Sequence, residues 1–72
     1  MTKKEKLNLL EELLDIGKDT LSEDTELKDL SEWDSLAGIT VIAMFDSDFG
    51  KIITSDDLEG FITVNDILDK MD

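Results

Sequence analysis

An all-α fold is predicted for this chain: a small four-helix bundle of three main helices and one short one, with a long loop between the first and second. Three observations predict it. The 72 residues suffice for one hydrophobic core, since chains of this size bury only about 60% of their unfolded surface, so residues 1–72 are read as a single domain. Three segments repeat apolar residues at helical spacing. The one strand-like stretch, Ile52-Ile53-Thr54, is too short to stand without a partner, and there are no prolines to mark a β edge.

The first helix opens with Thr2 and Glu5 at capping-box spacing and is expected to stop at Gly17. Leu7, Leu9, Leu10, Leu13, Leu14 and Ile16 cover one half of it, and Asn8, Glu11, Glu12 and Asp15 the other. From Gly17 to Asp34 the chain is polar, with Leu21, Leu27, Leu30 and Trp33 spaced among seven acids. Connections this long in small domains are either functional or disordered. The spaced leucines favour an ordered strap across the helix ends.

Residues Ser35 to Phe49 form the second helix, with Val41, Ile42, Phe45 and Phe49 facing the core. Leu36, Ile39 and Ala43 point roughly 100° or more away from that face. The helix therefore has more apolar surface than one core uses, and a surplus stripe of this kind suits docking of another protein. After Gly50 come Ile52 and Ile53, then a short helix capped by Ser55, containing Leu58 and closed by Gly60. The last helix starts at Thr63, with Asp66 three residues on, and sets Val64, Ile67, Leu68 and Met71 on one face.

Composition excludes much chemistry. Without cysteine or histidine the chain lacks thiolate nucleophiles, thiolate metal sites and the commonest general base. No catalytic residue and no metal site is expected. The 19 acids and 7 bases leave a charge of −12, which repels nucleic acid and anionic lipid and points to basic protein partners. Residues 1–18 sum to zero, so the other fifteen acids and three lysines carry the whole charge. No apolar run approaches the ~20 residues of a membrane span, and the first residues lack a secretory signal. A cytoplasmic monomer is expected.

Two acidic patterns fail as sites. In "DSDFGKIITSDDLE", a calcium loop begun at Asp46 would place Lys51 where the glycine turn belongs and Asp57 where a bidentate glutamate belongs. The clusters Glu23-Asp24-Glu26 and Asp56-Asp57-Glu59 have no cleft to shift their pKa values and read as solvated charge. Ser35 has no histidine to activate it. It is either an ordinary helix cap or a hydroxyl left reachable for another enzyme. Asp34 would cap the same helix equally well, and Gly38 stands where a capping-box glutamate for Ser35 would sit.

The stretch "WDSLAGITVIAMFDSDFGKIITSDDLEGFITVNDIL", with the leading amphipathic helix and acidic loop, resembles the acyl carrier protein family across nearly the whole chain. Asp34-Ser35-Leu36 matches that family's attachment motif. The three residues are weakly specific alone, and their position after a long loop and before an apolar helix ending in "FG" makes the match specific. The resemblance implies a covalent 4′-phosphopantetheine arm on Ser35, taken from coenzyme A by a magnesium-dependent phosphopantetheinyl transferase. Acyl cargo would ride as a thioester on the arm's thiol, in fatty acid, polyketide or related specialised biosynthesis. The implied partners are an acyl- or aminoacyl-activating ligase and condensing or acyltransferase enzymes with basic docking surfaces.

Under that resemblance Leu36, Ile39 and Ala43 form the docking stripe, with Asp34, Asp46 and Asp48 steering basic partners. Ile42, Phe45, Ile53, Leu58, Phe61 and Ile67 would line any sheltered cargo, although two phenylalanines there favour a plain core. Ala37, Thr40 and Ser47 stand where fatty-acid-synthesis carriers are often acidic, which sets the chain apart from the housekeeping pathway. Trp33 is similar to the residue before the motif in D-alanyl carriers and specialised stand-alone carriers, so an aminoacyl (D-alanyl or peptidyl) carrier is the alternative. The reading from another class is an unmodified acidic adaptor that binds a basic partner through the same stripe.

Overall fold

A computed structural model of the chain describes residues 1–71. Among them are four α-helices, one 3-10 turn and no strand. The first helix, α1 (Lys3–Leu13), begins with the expected box: Thr2 N donates to Glu5 Oε1 at 2.8 Å, and Glu5 N to Thr2 Oγ1 at 3.2 Å. It ends four residues before the expected Gly17. Asp15 adopts φ 58°, a left-handed conformation that short polar side chains tolerate. Ile16 N then reaches back to Glu11 O at 2.8 Å, and Asp15 N to Glu12 O at 3.3 Å. This pair of bonds is the Schellman closure, supplied here by aspartate in place of glycine.

The connection from 14 to 34 is ordered by three devices. Leu21 and Leu27 are buried in the core, with Leu30 and Trp33 packed against it. Its backbone runs beside the residues that start the last helix: Leu27 N donates to Ile62 O, Val64 N to Thr25 O and Asn65 N to Glu23 O, each at 2.9 Å, with one antiparallel bridge between Glu26 and Thr63. The third device is Glu11. Expected on the solvated half of α1, it is only 1% exposed. Its Oε1 accepts from Asp19 N at 3.0 Å and its Oε2 from Leu21 N at 2.7 Å. A carboxylate so placed replaces water with main-chain donors, which is what burial of a charge requires. The loop also holds the 3-10 turn, Leu27–Asp29.

Helix α2 (Ser35–Phe49) has the predicted bounds and ends at Gly50, whose φ of 62° is easy only for glycine. Val41 and Phe45 are fully buried, as are Ala37 and Met44 beside them, while Ile42 and Phe49 are half-buried. The rings of Phe45 and Phe49 pack with centroids 5.8 Å apart. Helix α3 (Ser55–Gly60) is capped by Thr54, and the expected Ser55 cap is one residue late. Thr54 N donates to Asp57 Oδ2 at 2.9 Å and Asp57 N to Thr54 Oγ1 at 3.3 Å, because the box needs its acid three residues after the cap. Of the isoleucine pair, Ile53 is buried and Ile52 points to solvent.

Helix α4 (Val64–Lys70) places Val64, Ile67 and Leu68 in the core, followed by buried Met71. Asp66 Oδ2 accepts from Ile62 N at 2.8 Å and Thr63 N at 3.0 Å. At its far end Lys51 Nζ donates to Lys70 O at 2.8 Å, a cation on the negative end of the helix dipole. α4 packs on α1, and Lys6 Nζ reaches Leu68 O at 3.4 Å. One apolar cluster joins all these parts, each large buried side chain contributing roughly 1.5–3 kcal/mol of burial.

Candidate functional site

The start of α2 resolves the competition between Asp34 and Ser35. Asp34 has extended backbone and is the N-cap: its Oδ1 accepts from Ala37 N at 2.9 Å, and its carbonyl from Gly38 N at 3.0 Å. Ser35 is the first helical residue, and it is exposed. Its hydroxyl takes no part in the cap. The site therefore consists of an outward serine at a helix start, held in place by an aspartate that is itself fixed to the backbone.

Around Ser35 the surface is apolar. Leu36 is 71% and Ile39 65% exposed, and Ala43 is exposed too. At ~100° per residue Leu36, Ile39, Ala43 and Asp46 form one row along α2, with Asp34 just ahead of it. Asp48 is exposed at the last turn, in the angular sector of Val41 and Met44, on the other side of the helix. The structure thus brings together five of the six residues expected to meet a partner. It leaves Asp48 apart.

On its other flank Ser35 lines an open groove of about 390 Å³, shared with Trp33, Gly38, Ile39, Ile42 and Leu58. Of the six side chains that would line sheltered cargo, Phe45, Ile53 and Ile67 are core residues, and Ile42, Leu58 and Phe61 are half-buried against it. Gly38 and Trp33 contribute to the groove through position, which periodicity does not reveal: Gly38 is buried where α3 crosses α2, and Trp33 precedes the helix.

Shifted acids lie away from this site and belong to caps and to the loop anchor. Asp57 and Asp66 are held below the ordinary carboxyl range chiefly by backbone N–H donors at their boxes. Burial pushes the Glu11 carboxyl up, but the N–H groups of Leu21, Asp19 and Thr20 and the Lys18 charge pull it further down, below its ordinary 4.5. Among the described residues no group of acids or other ligands is placed to hold a metal ion, and no helix is long and apolar enough to cross a membrane.

Neither the curated proteins nor the solved structures yield a match to this sequence. The family model described as the phosphopantetheine attachment site matches residues 7–70, a span that takes in α2, α3, α4 and most of α1. With that match covering nearly all of its 72 residues, the chain belongs to the phosphopantetheine attachment family and is a carrier domain, non-catalytic itself, whose cofactor is phosphopantetheine.

Proposed function

We propose that Ser35 is the attachment residue and that the protein carries acyl groups as thioesters on the arm, presenting them to successive enzymes of fatty acid, polyketide or related specialised biosynthesis. The observation that carries this is the division of labour at the start of α2: Asp34 caps the helix and the Ser35 hydroxyl faces outward. The residues present fit the group. A phosphodiester on Ser35 would lie at the positive end of the α2 dipole, where unpaired backbone N–H groups favour an anion. The arm supplies the thiol that the chain lacks.

Attachment is performed by a separate transferase. The Ser35 oxygen forms a bond to the inner phosphorus of coenzyme A, the P–O bond of the pyrophosphate breaks, adenosine 3′,5′-bisphosphate leaves, and the hydroxyl proton passes to the transferase. Apolar groups beside Ser35, namely Ile39, Ile42 and Leu58, favour acyl over aminoacyl cargo. The row Leu36, Ile39 and Ala43, with Asp34 and Asp46 at its ends, suits basic partners: the transferase, an activating ligase, and condensing or acyltransferase enzymes. We assign the protein to the cytoplasm as a single-domain monomer on its charge and composition.

The test is intact mass after incubation with coenzyme A, magnesium and a broad-specificity transferase, with Ser35→Ala alongside. One added phosphopantetheinyl mass on the wild type and none on the variant is the expected result. No addition to the folded wild type with two transferases would overturn the assignment and favour an unmodified adaptor.

A further inference from the structure

The groove at Ser35 does not end at α3. Its lining residues Trp33, Leu58 and Glu59 also line a second groove of about 320 Å³, completed by Leu27, Lys28, Phe61 and Ile62. The two therefore adjoin along one ridge. The second is open to solvent, since Ile62 at its edge is 64% exposed, while Leu27 is buried at its base. An exposed isoleucine alone needs no explanation, but one that continues an apolar groove starting at the attachment residue does.

The direct route from Ser35 to the interior is closed. A Cβ added to Gly38 would stand 3.1 Å from Leu58 Cδ1, so Leu58 lies against bare α2 backbone and seals the seam between α2 and α3. Behind the seam Val41, Phe45 and Ile67 are fully buried, and interiors of this kind are close-packed. Ligand clefts commonly measure ~300–1,000 Å³, so each groove matches one modest segment. An arm together with its cargo needs both.

We propose that in the loaded protein the arm lies along the first groove and its short aliphatic acyl end rests in the second, against Leu27, Phe61 and Ile62, outside the bundle. This rests on Ser35 being the attachment residue. Leu58 and Trp33 then form the ridge that the arm crosses, and Lys28 and Glu59 stand at its sides as charges that exclude nothing aliphatic from the floor between them.

The experiment loads the protein from hexanoyl-coenzyme A with a transferase and verifies each sample by intact mass. Trp33 is the sole tryptophan and there is no tyrosine, so its emission reports on the ridge. Loading is expected to shift that emission to the blue and to slow hydroxylamine cleavage of the thioester severalfold relative to free hexanoyl-pantetheine. Ile62→Asp, loaded to the same mass, should lose most of this protection. Two-dimensional NMR should show loading moving Leu27 and Ile62 and leaving Val41 and Ile67 in place. Cleavage at the rate of the free thioester, unchanged protection in Ile62→Asp, or shifts concentrated at Val41 and Ile67 would each overturn the surface path while leaving the attachment intact. Absence of the added mass would overturn the attachment itself, and the path with it.

Discussion

Two adjacent residues at the start of α2 look interchangeable in sequence and differ in role. Either Asp34 or Ser35 can cap a helix, and helix grammar leaves the choice open. Backbone conformation decides it: the cap residue is extended and the next one helical, and Asp34 takes the first position with its carboxylate on Ala37 N. Asp34→Ala should therefore cost about 1 kcal/mol, or roughly 4–8 °C in Tm for a domain this small. Ser35→Ala, at an exposed position outside the cap, should stay within about 0.5 kcal/mol of wild type. Denaturant melts of the two unmodified variants check this. Equal losses, or a larger loss for Ser35→Ala, would return the cap to the serine and weaken the case that its hydroxyl is free for chemistry. The attachment residue itself was legible in the sequence, because a motif and its position identify it. The geometry that frees it was not, since it depends on one pair of dihedral angles.

Among the elements, those bounded by distinctive residues were the most legible. α2 runs from Ser35 to Phe49 as predicted because an Asp–Ser pair opens it and a glycine able to adopt a positive φ closes it. α1 was read four residues too long because Gly17 attracts a helix stop, whereas the chain reverses at Asp15. Glu11 was misplaced for a related reason: a helical wheel ranks side chains by polarity and knows nothing of a later segment that brings its own N–H groups. Once the loop folds over α1, Glu11 is the best available acceptor for Asp19 and Leu21. The loop's order thus depends on one ionised carboxyl, and its pH dependence follows in sign. Because the folded group sits below its ordinary 4.5, its contribution is complete above about that pH and is lost as pH falls through the lower folded value. Glu11→Gln, which leaves one buried N–H facing an amide donor, should cost about 1–3 kcal/mol at pH 7. The difference between variant and wild type should shrink as pH is lowered below 4.5. Stability curves for the pair from pH 7 to 3 test it, and a constant difference would mean that Glu11 acts by packing instead of charge.

For the whole molecule the dominant quantity is the charge of −12 on 72 residues. Fifteen acids beyond residue 18, against three lysines, repel one another in the compact state. Several lysines are already committed: Lys51 to the end of α4, Lys6 to Leu68 O and Lys3 to Glu23 at 2.6 Å. Surface pairs of this kind contribute little individually, so the uncompensated field persists and acts in two opposite ways. Within the chain it destabilises, and salt should relieve it. Toward a basic enzyme it steers encounter, and salt should remove that advantage, since screening at 0.15 M reaches about 8 Å. Raising sodium chloride from 10 to 150 mM should therefore raise the Tm of the isolated protein. The same change should raise the KM of the transferase for this protein severalfold, with kcat little altered. Thermal melts and steady-state loading rates across the same salt series measure both. A KM that ignores salt while Tm rises would assign docking to the apolar row of Leu36, Ile39 and Ala43 alone. A Tm that falls with salt would mean that the pairs and caps outweigh the repulsion, and that the acids are arranged more favourably in the fold than their number implies.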